Sequence, residues 1–152
     1  MVTKKRAVDT EVKSTQHGLK MRLDDMLTIQ PKTDKQKEFF DAYQQGHHFC
    51  ALSGVAGTGK TYIAFYKALE EVMEKSNPYT KLVIIRSSVQ SREMGHLPGD
   101  AAEKMNQFTE PYKQIAAELF KRKDAWDRLV EQGYVEFLST SFIRGTTFNN
   151  AI

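Results

Sequence analysis

SGVAGTGKTY, residues 53–62, follows the apolar run 49–52 and precedes a stretch with helical periodicity. It fits the pattern G-x-x-x-x-G-K-[ST] through Gly54, Gly59, Lys60 and Thr61. Glycines let successive backbone N–H groups curl around phosphate oxygens, and a helix that starts near Lys60 points its positive dipole end at the same anion. The lysine supplies a point charge for the β- and γ-phosphates, and the threonine hydroxyl suits Mg²⁺. The pattern therefore predicts that the chain binds a magnesium nucleoside triphosphate.

The predicted nucleotide-binding residues are the loop and its flank: Gly54, Val55, Ala56, Gly57, Thr58, Gly59, Lys60, Thr61 and Tyr62. Lys60 and Thr61 are the candidate catalytic residues, and Thr61 is the candidate magnesium ligand. An ordinary glycine turn is the competing interpretation. It is disfavoured because apolar residues at 65, 68, 69, 72 and 73 give the segment after the loop one apolar helical face. Tyr62 is close enough to stack on a base, but packing in the core explains it equally well.

Composition predicts a single cytoplasmic domain that is not embedded in a membrane. The chain has 152 residues and a formal net charge of +3, and no stretch approaches the roughly 20 apolar residues of a membrane span. No apolar segment follows the basic residues at the amino terminus, so we expect no secretory signal. Cys50 lies in the predicted strand 49–52, where we expect a buried, reduced thiol. His47 and His48 are adjacent, without other ligands at metal-binding spacing.

Local patterns predict an α/β fold. Capping residues Thr33 or Asp34 and a stop at Gly46 bound a helix over 34–45. Further helices are predicted from about 60 to 75, over 112–120 and over 126–130, and strands over 49–52, 81–86 and 135–140. The strand 81–86 is apolar on both faces, as is typical of a central parallel strand. The order of strand, loop, helix and strand predicts a βαβ unit. Residues 1–28 read as a polar amino-terminal tail.

Several motifs in succession resemble the PhoH-like family of P-loop ATPases, especially its phage-encoded members. They are Pro31-x-Thr33-x-x-Gln36, GVAGTGKTY (54–62), GHLPGD (95–100) and FIRGTTFNNAI (142–152). The resemblance covers about 29–152 and implies a RecA-like P-loop NTPase core, related to superfamily 1 helicases, that uses ATP and Mg²⁺. It also implies single-stranded RNA or DNA as a partner, leaves a homo-oligomer open, and places a phage-encoded member in the host cytoplasm.

The same resemblance carries roles to individual residues. Gln36 matches a glutamine that recognises adenine; a solvated helix residue is the competing interpretation, because single glutamines are common. The residues implied to contact nucleic acid lie at the end of the second predicted strand or after the second and third strands. They are Arg86, Ser87, Ser88, Arg92, Arg144 and Thr146. Thr146 stands where the family has an arginine, which weakens the expected phosphate contact there.

Family members continue into an apolar strand that ends in Asp-Glu and organises magnesium and the attacking water. The sequence given ends at Ala151-Ile152 without such a strand. We therefore expect residues 29–152 to be a nucleotide-binding core truncated at its carboxyl end, without sustained ATP turnover by itself. A small-molecule phosphotransferase or a regulatory nucleotide-binding switch, neither of which binds nucleic acid, is the alternative function.

Overall fold

The computed structural model describes residues 20–47, 49–87, 101–141 and 143–152. The described elements follow each other in the order α1, α2, β1, α3, α4, β2, after one turn of 3-10 helix at Leu23–Asp25. Their bounds are α1 Asp34–Gln44, α2 Lys60–Met73, β1 Leu82–Arg86, α3 Ala101–Phe120, α4 Ala125–Glu131 and β2 Val135–Ser139. Helices and parallel strands in this order make an α/β arrangement, as the sequence predicts.

The two strands form a parallel sheet, with Leu82 opposite Val135 and Arg86 opposite Ser139. Helices α3 and α4 supply the crossover between them, which parallel pairing requires. The other edge of β1 is paired only at its start. There Ile152 donates its N–H to the Lys81 carbonyl at 3.0 Å and accepts from the Val83 N–H at 2.8 Å. Past Val83, no described residue pairs with that edge.

The helices cover one face of this sheet. Leu82, Ile84 and Val135 point into the core and are buried, whereas Ile85 on the opposite face is 42% exposed. The expectation that β1 is buried on both faces is therefore wrong at Ile85, because the described helices pack on one side only. On the covered side, the ring centroids of Tyr112 in α3 and Phe137 in β2 lie 5.8 Å apart.

Helix α2 lies at the centre of the core. Leu69 is fully buried, and Phe65 packs near Tyr112 and Trp126, with ring centroids 6.0 and 6.4 Å away. On its other side, α2 stacks Tyr66 against Phe40 of α1 at 6.2 Å. These contacts confirm the predicted apolar face of α2. They also join α1, α2, α3 and α4 into one hydrophobic core.

Part of the predicted polar tail joins this core. Met21 and Met26 are buried, and the Leu27 N–H donates to the Leu119 carbonyl at 2.8 Å. Gln132 accepts the N–H of Met21 through its side chain at 2.8 Å. Sequence patterning underrates this stretch because three of the four residues between the two methionines are charged.

The segment 49–52 is not a strand, contrary to the prediction. The side chain of Phe49 is 97% exposed and Cys50 is also exposed, so the expectation of a buried thiol is wrong as well. A run of apolar residues becomes a strand only where neighbouring backbone accepts and donates its hydrogen bonds. No described strand lies beside 49–52, and the predicted βαβ unit is formed by β1, the α3–α4 crossover and β2 instead.

The buried face of α4 provides a test of this core. Leu129 is fully buried, whereas its neighbour Val130 is 44% exposed. We expect Leu129→Ala to lower the free energy of unfolding by about 2–5 kcal/mol, because it leaves a cavity among packed side chains. Val130→Ala should change it by about 0.5 kcal/mol or less. Urea denaturation followed by circular dichroism measures both, and equal losses in the two variants would contradict the described packing.

Candidate phosphate-binding site

The loop between residues 53 and 59 turns sharply and leads directly into α2. Gly54, Gly57 and Gly59 all have positive φ angles, of 144°, 78° and 78°. Such angles are strained for residues with a Cβ atom. Gly59 is the N-cap of α2, which begins at Lys60 as the motif predicts. The free backbone N–H groups of the first helical turn therefore adjoin the glycine turn.

Two side chains of the loop cross its interior. The Lys60 ammonium donates to the Val55 carbonyl at 2.6 Å and to the Thr58 hydroxyl at 3.2 Å. The Thr58 hydroxyl in turn donates to the same Val55 carbonyl at 2.9 Å. Lys60 is half-buried and its charge faces only neutral oxygens in these contacts, so an anion at the loop would be a stronger acceptor.

Thr61 lies on the first turn of α2 with its side chain exposed. Together with Lys60 it lines part of a cavity of about 510 Å³ that is also bounded by residues of α1, β1 and the stretch before the loop. The remaining lining is mostly apolar and includes Leu52, Phe65 and Leu82. Lys60 and Thr61 share the polar part of this lining with Tyr43 and His47.

Gln36 reaches the loop from α1. Its Nε2 donates to the Thr58 carbonyl at 3.2 Å, and its Oε1 accepts from the Lys32 N–H at 2.7 Å. Thr33 caps α1 by accepting the Gln36 N–H at 3.2 Å, which fixes the backbone from which this side chain extends. The structure thus brings Gln36 to the predicted loop, with backbone groups as its partners.

Tyr62 is directed toward α3. Its hydroxyl donates to the Glu118 carboxylate at 3.2 Å, and its ring packs against the core. Burial, followed by the negative charge of Glu118, raises the pKa of Tyr62 to about 12. Tyr62 therefore stays a protonated donor at neutral pH, and packing accounts for it without a base stacked on its ring.

The predicted nucleic-acid residues that the structure describes lie at the end of β1 or in the chain after β2. Arg86 ends β1, and Arg144 and Thr146 follow β2, all with exposed side chains. The Thr140 N–H, directly after β2, donates to the Arg86 carbonyl at 3.0 Å, whereas Ala151 pairs with Lys81 at the opposite end of β1. Ser87 comes directly after β1. Ser88 and Arg92 lie outside the described residues.

Sequence reasoning missed one buried charge near the site. Lys67 of α2 is buried, and its ammonium lies 5.2 Å from the centroid of the Phe40 ring. A lysine is usually read as a solvated helix residue. Lys67 lies on the side of α2 opposite the predicted apolar face 65, 68, 69, 72 and 73, so the helical pattern gives no signal for its burial.

Among the described residues, no set of three or more His, Cys, Asp or Glu side chains is placed to hold a metal ion. None of the helices in the described ranges combines the length and the hydropathy that a membrane crossing requires.

Comparison with known proteins identifies relatives for most of the chain. A family model described as PhoH-like protein matches residues 28–152. PhoH-like proteins of Mycobacterium leprae (strain TN) and Bacillus subtilis (strain 168) are each 32% identical over 125 residues, which is 82% of this chain but 35% and 38% of theirs. Protein PhoH of Escherichia coli (strain K12) is 34% identical over 102 residues, 66% of this chain and 28% of its own. The chain thus spans about a third of the length of these relatives. No solved structure shows significant similarity to it.

Substitutions of different bulk at Gly57 test the left-handed backbone of the loop. A Cβ at this position would meet no atom within 4 Å, so the cost of a side chain is conformational strain alone. We expect Gly57→Ala to lower the free energy of unfolding by about 1–2 kcal/mol, Gly57→Asn to lower it less and Gly57→Val to lower it more. Thermal and urea denaturation of the three variants measure this order. Three equal losses would contradict the described loop conformation.

Proposed function

Because the chain belongs to the PhoH-like protein family, we propose that residues 29–152 bind ATP with Mg²⁺ as the nucleotide-binding core of an ATPase. The observation that carries the proposal is the glycine turn 53–59, whose last residue caps α2. The first helical turn of α2, whose backbone N–H groups lack helical partners, follows directly on this glycine turn, and phosphate is an anion that such an arrangement suits.

The triphosphate would reorganise the contacts inside the loop. Lys60 donates to the Val55 carbonyl and the Thr58 hydroxyl. Phosphate oxygens carry full negative charge and accept shorter, stronger hydrogen bonds from an ammonium group. A bound triphosphate would therefore draw the Lys60 ammonium to its β- and γ-phosphates. The dipole of α2 adds to the same attraction.

The residues of the loop fit a magnesium ion held jointly with the nucleotide. Thr61 offers one exposed hydroxyl oxygen next to the loop. Mg²⁺ keeps several waters and takes few protein ligands when phosphates complete its shell. When bound, the ion would neutralise charge on the phosphates. Thr61 would orient it, and Lys60 would hold the phosphates in place.

The activity of the whole protein is part of the proposal. The family resemblance implies a RecA-like NTPase fold and a helicase or nucleic-acid remodeller. The described parallel strands support the coarser α/β arrangement of that fold. Arg86 at the end of β1 and Arg144 in the chain after β2 offer exposed cations for the phosphates of a single strand. Turnover is proposed for the longer protein, since this chain spans about a third of its relatives.

Removing the lysine charge tests nucleotide binding. We expect Lys60→Ala to weaken MgATP binding by at least about 100-fold, since a charge-assisted contact to each of two phosphates is lost. Lys75→Ala, which removes an exposed cation beyond the opposite end of α2, is the matched control and should bind as the wild type does. Isothermal titration calorimetry measures both. Wild-type affinity in Lys60→Ala would refute the assignment.

Salt dependence tests the nucleic-acid contacts. We expect affinity for a single-stranded RNA or DNA oligonucleotide to fall steeply with salt, because bound cations are released from the strand. Arg86→Ala and Arg144→Ala should each reduce the slope of log affinity against log salt by about 0.7. Lys75→Ala again serves as the control, and fluorescence anisotropy is the measurement. Salt-independent binding, or no binding at any salt, would favour the phosphotransferase or switch instead.

A further inference from the structure

A single side chain connects α1 to the phosphate loop. Gln36 uses one end of its amide on the Thr58 carbonyl, at 3.2 Å, and the other on the Lys32 N–H, at 2.7 Å. The Thr58 carbonyl immediately precedes Gly59, whose left-handed conformation starts α2. The orientation of this peptide group determines where the following N–H groups point. A hydrogen bond to its oxygen therefore acts on the part of the loop that would face phosphate.

Helix α1 is anchored on α2 by a buried cation, which we call the lysine cage: Lys67, Phe40, Tyr43, Tyr66 and Glu70. The Lys67 ammonium lies 5.2, 5.9 and 5.9 Å from the ring centroids of Phe40, Tyr43 and Tyr66, and it pairs with the Glu70 carboxylate. Its side chain is 9% exposed. A buried charge is costly unless ring faces and a carboxylate compensate it. Two of the three rings belong to α1, so the cage holds only when α1 is in place.

A second contact supports the same docking. The Tyr43 hydroxyl of α1 donates to the Glu71 carboxylate of α2, and Asn77 donates to the other Glu71 oxygen at 3.0 Å. Burial and then this hydrogen bond raise the pKa of Tyr43, so it stays a donor across the neutral range. Gln36 precedes Phe40 by four residues and so lies on the same side of α1 as the docked rings.

We propose that α1 is a positioning latch for the phosphate loop, anchored on α2 by the lysine cage and closed by Gln36 on the Thr58 carbonyl. This inference rests on the proposed nucleotide binding. It makes Gln36 a positioning residue that acts through the loop backbone, in place of the adenine contact that the family resemblance implies. A latch of this kind affects every ligand that uses the loop, whether or not the ligand carries a base.

The full 152-residue chain, titrated calorimetrically with magnesium tripolyphosphate, MgATP and MgGTP, tests the latch. Gln36→Leu should weaken all three ligands by about three- to tenfold, the equivalent of one lost hydrogen bond. Lys67→Met keeps an unbranched side chain of similar length but removes the charge, and it should weaken the binding of all three ligands to a similar extent. Lys67→Arg restores a cation above the rings and should recover most of the affinity. Lys35→Met, on the exposed side of α1, is the matched control and should bind as the wild type does.

The double variant Gln36→Leu with Lys67→Met should bind no more weakly than the poorer single variant, because both changes open the same latch. If Lys67→Met loses cooperative thermal unfolding, Tyr43→Phe replaces it and should weaken the same three ligands in the same way.

Three results would overturn the latch. Loss of ATP affinity in Gln36→Leu with unchanged tripolyphosphate affinity would make Gln36 a base-reading residue. Wild-type affinity for all ligands in both Gln36→Leu and the cage variant would show that α1 does not act on the loop. If the wild-type chain binds none of the three ligands, the proposed function fails and the latch fails with it.

Discussion

The burial of α2 is the constraint on which the rest of the structure depends. Its central residue, Leu69, is completely removed from water, and helices pack against it on both sides. The first turn of the same helix is the end of the phosphate loop. The side chains that fill the core therefore also fix the loop backbone in space. This order favours the binding of a ligand, because no conformational entropy is lost in ordering the loop when the ligand binds.

Local signals in the sequence predicted the elements that depend on local chemistry. Thr33, Gly46 and Gly59 mark helix boundaries through a cap or a left-handed backbone, and the structure places the boundaries there. The parallel strand β2 was also predicted, within one residue. The prediction of a strand at 49–52 was wrong. Its apolar composition is that of a strand, but strand formation depends on hydrogen bonds to a backbone partner that is distant in the sequence. The exposure of Cys50 follows from the same missing partner.

In the candidate site, too, the features set by local sequence were predicted and those set by contacts between distant segments were not. The motif predicted a glycine turn that leads into a helix at Lys60, because each position has a stereochemical reason to be occupied by its residue type. That these residues surround a phosphate stays a prediction. It could not predict the partner of Gln36, since spacing along α1 gives the side of the helix but not the group it meets. Lys67 was missed for a related reason. A lysine is tolerated in a core only when aromatic rings and a carboxylate converge on it, and that convergence involves residues from two helices.

The half-open edge of β1 has a further consequence for how copies of this chain meet each other. Its apolar residues 82–85 are bracketed by two cations, Lys81 and Arg86. Lys81 lies where residues 151–152 already pair with this edge, and its ammonium bonds the Glu136 carboxylate at 2.6 Å, so Arg86 is the cation at the open end of the edge. If two such ends came together in parallel register, Arg86 would oppose Arg86. Like charges placed directly opposite each other destabilise strand pairing. Arg86 therefore disfavours parallel, in-register pairing between two such edges, whereas an acidic residue at the facing position would favour it.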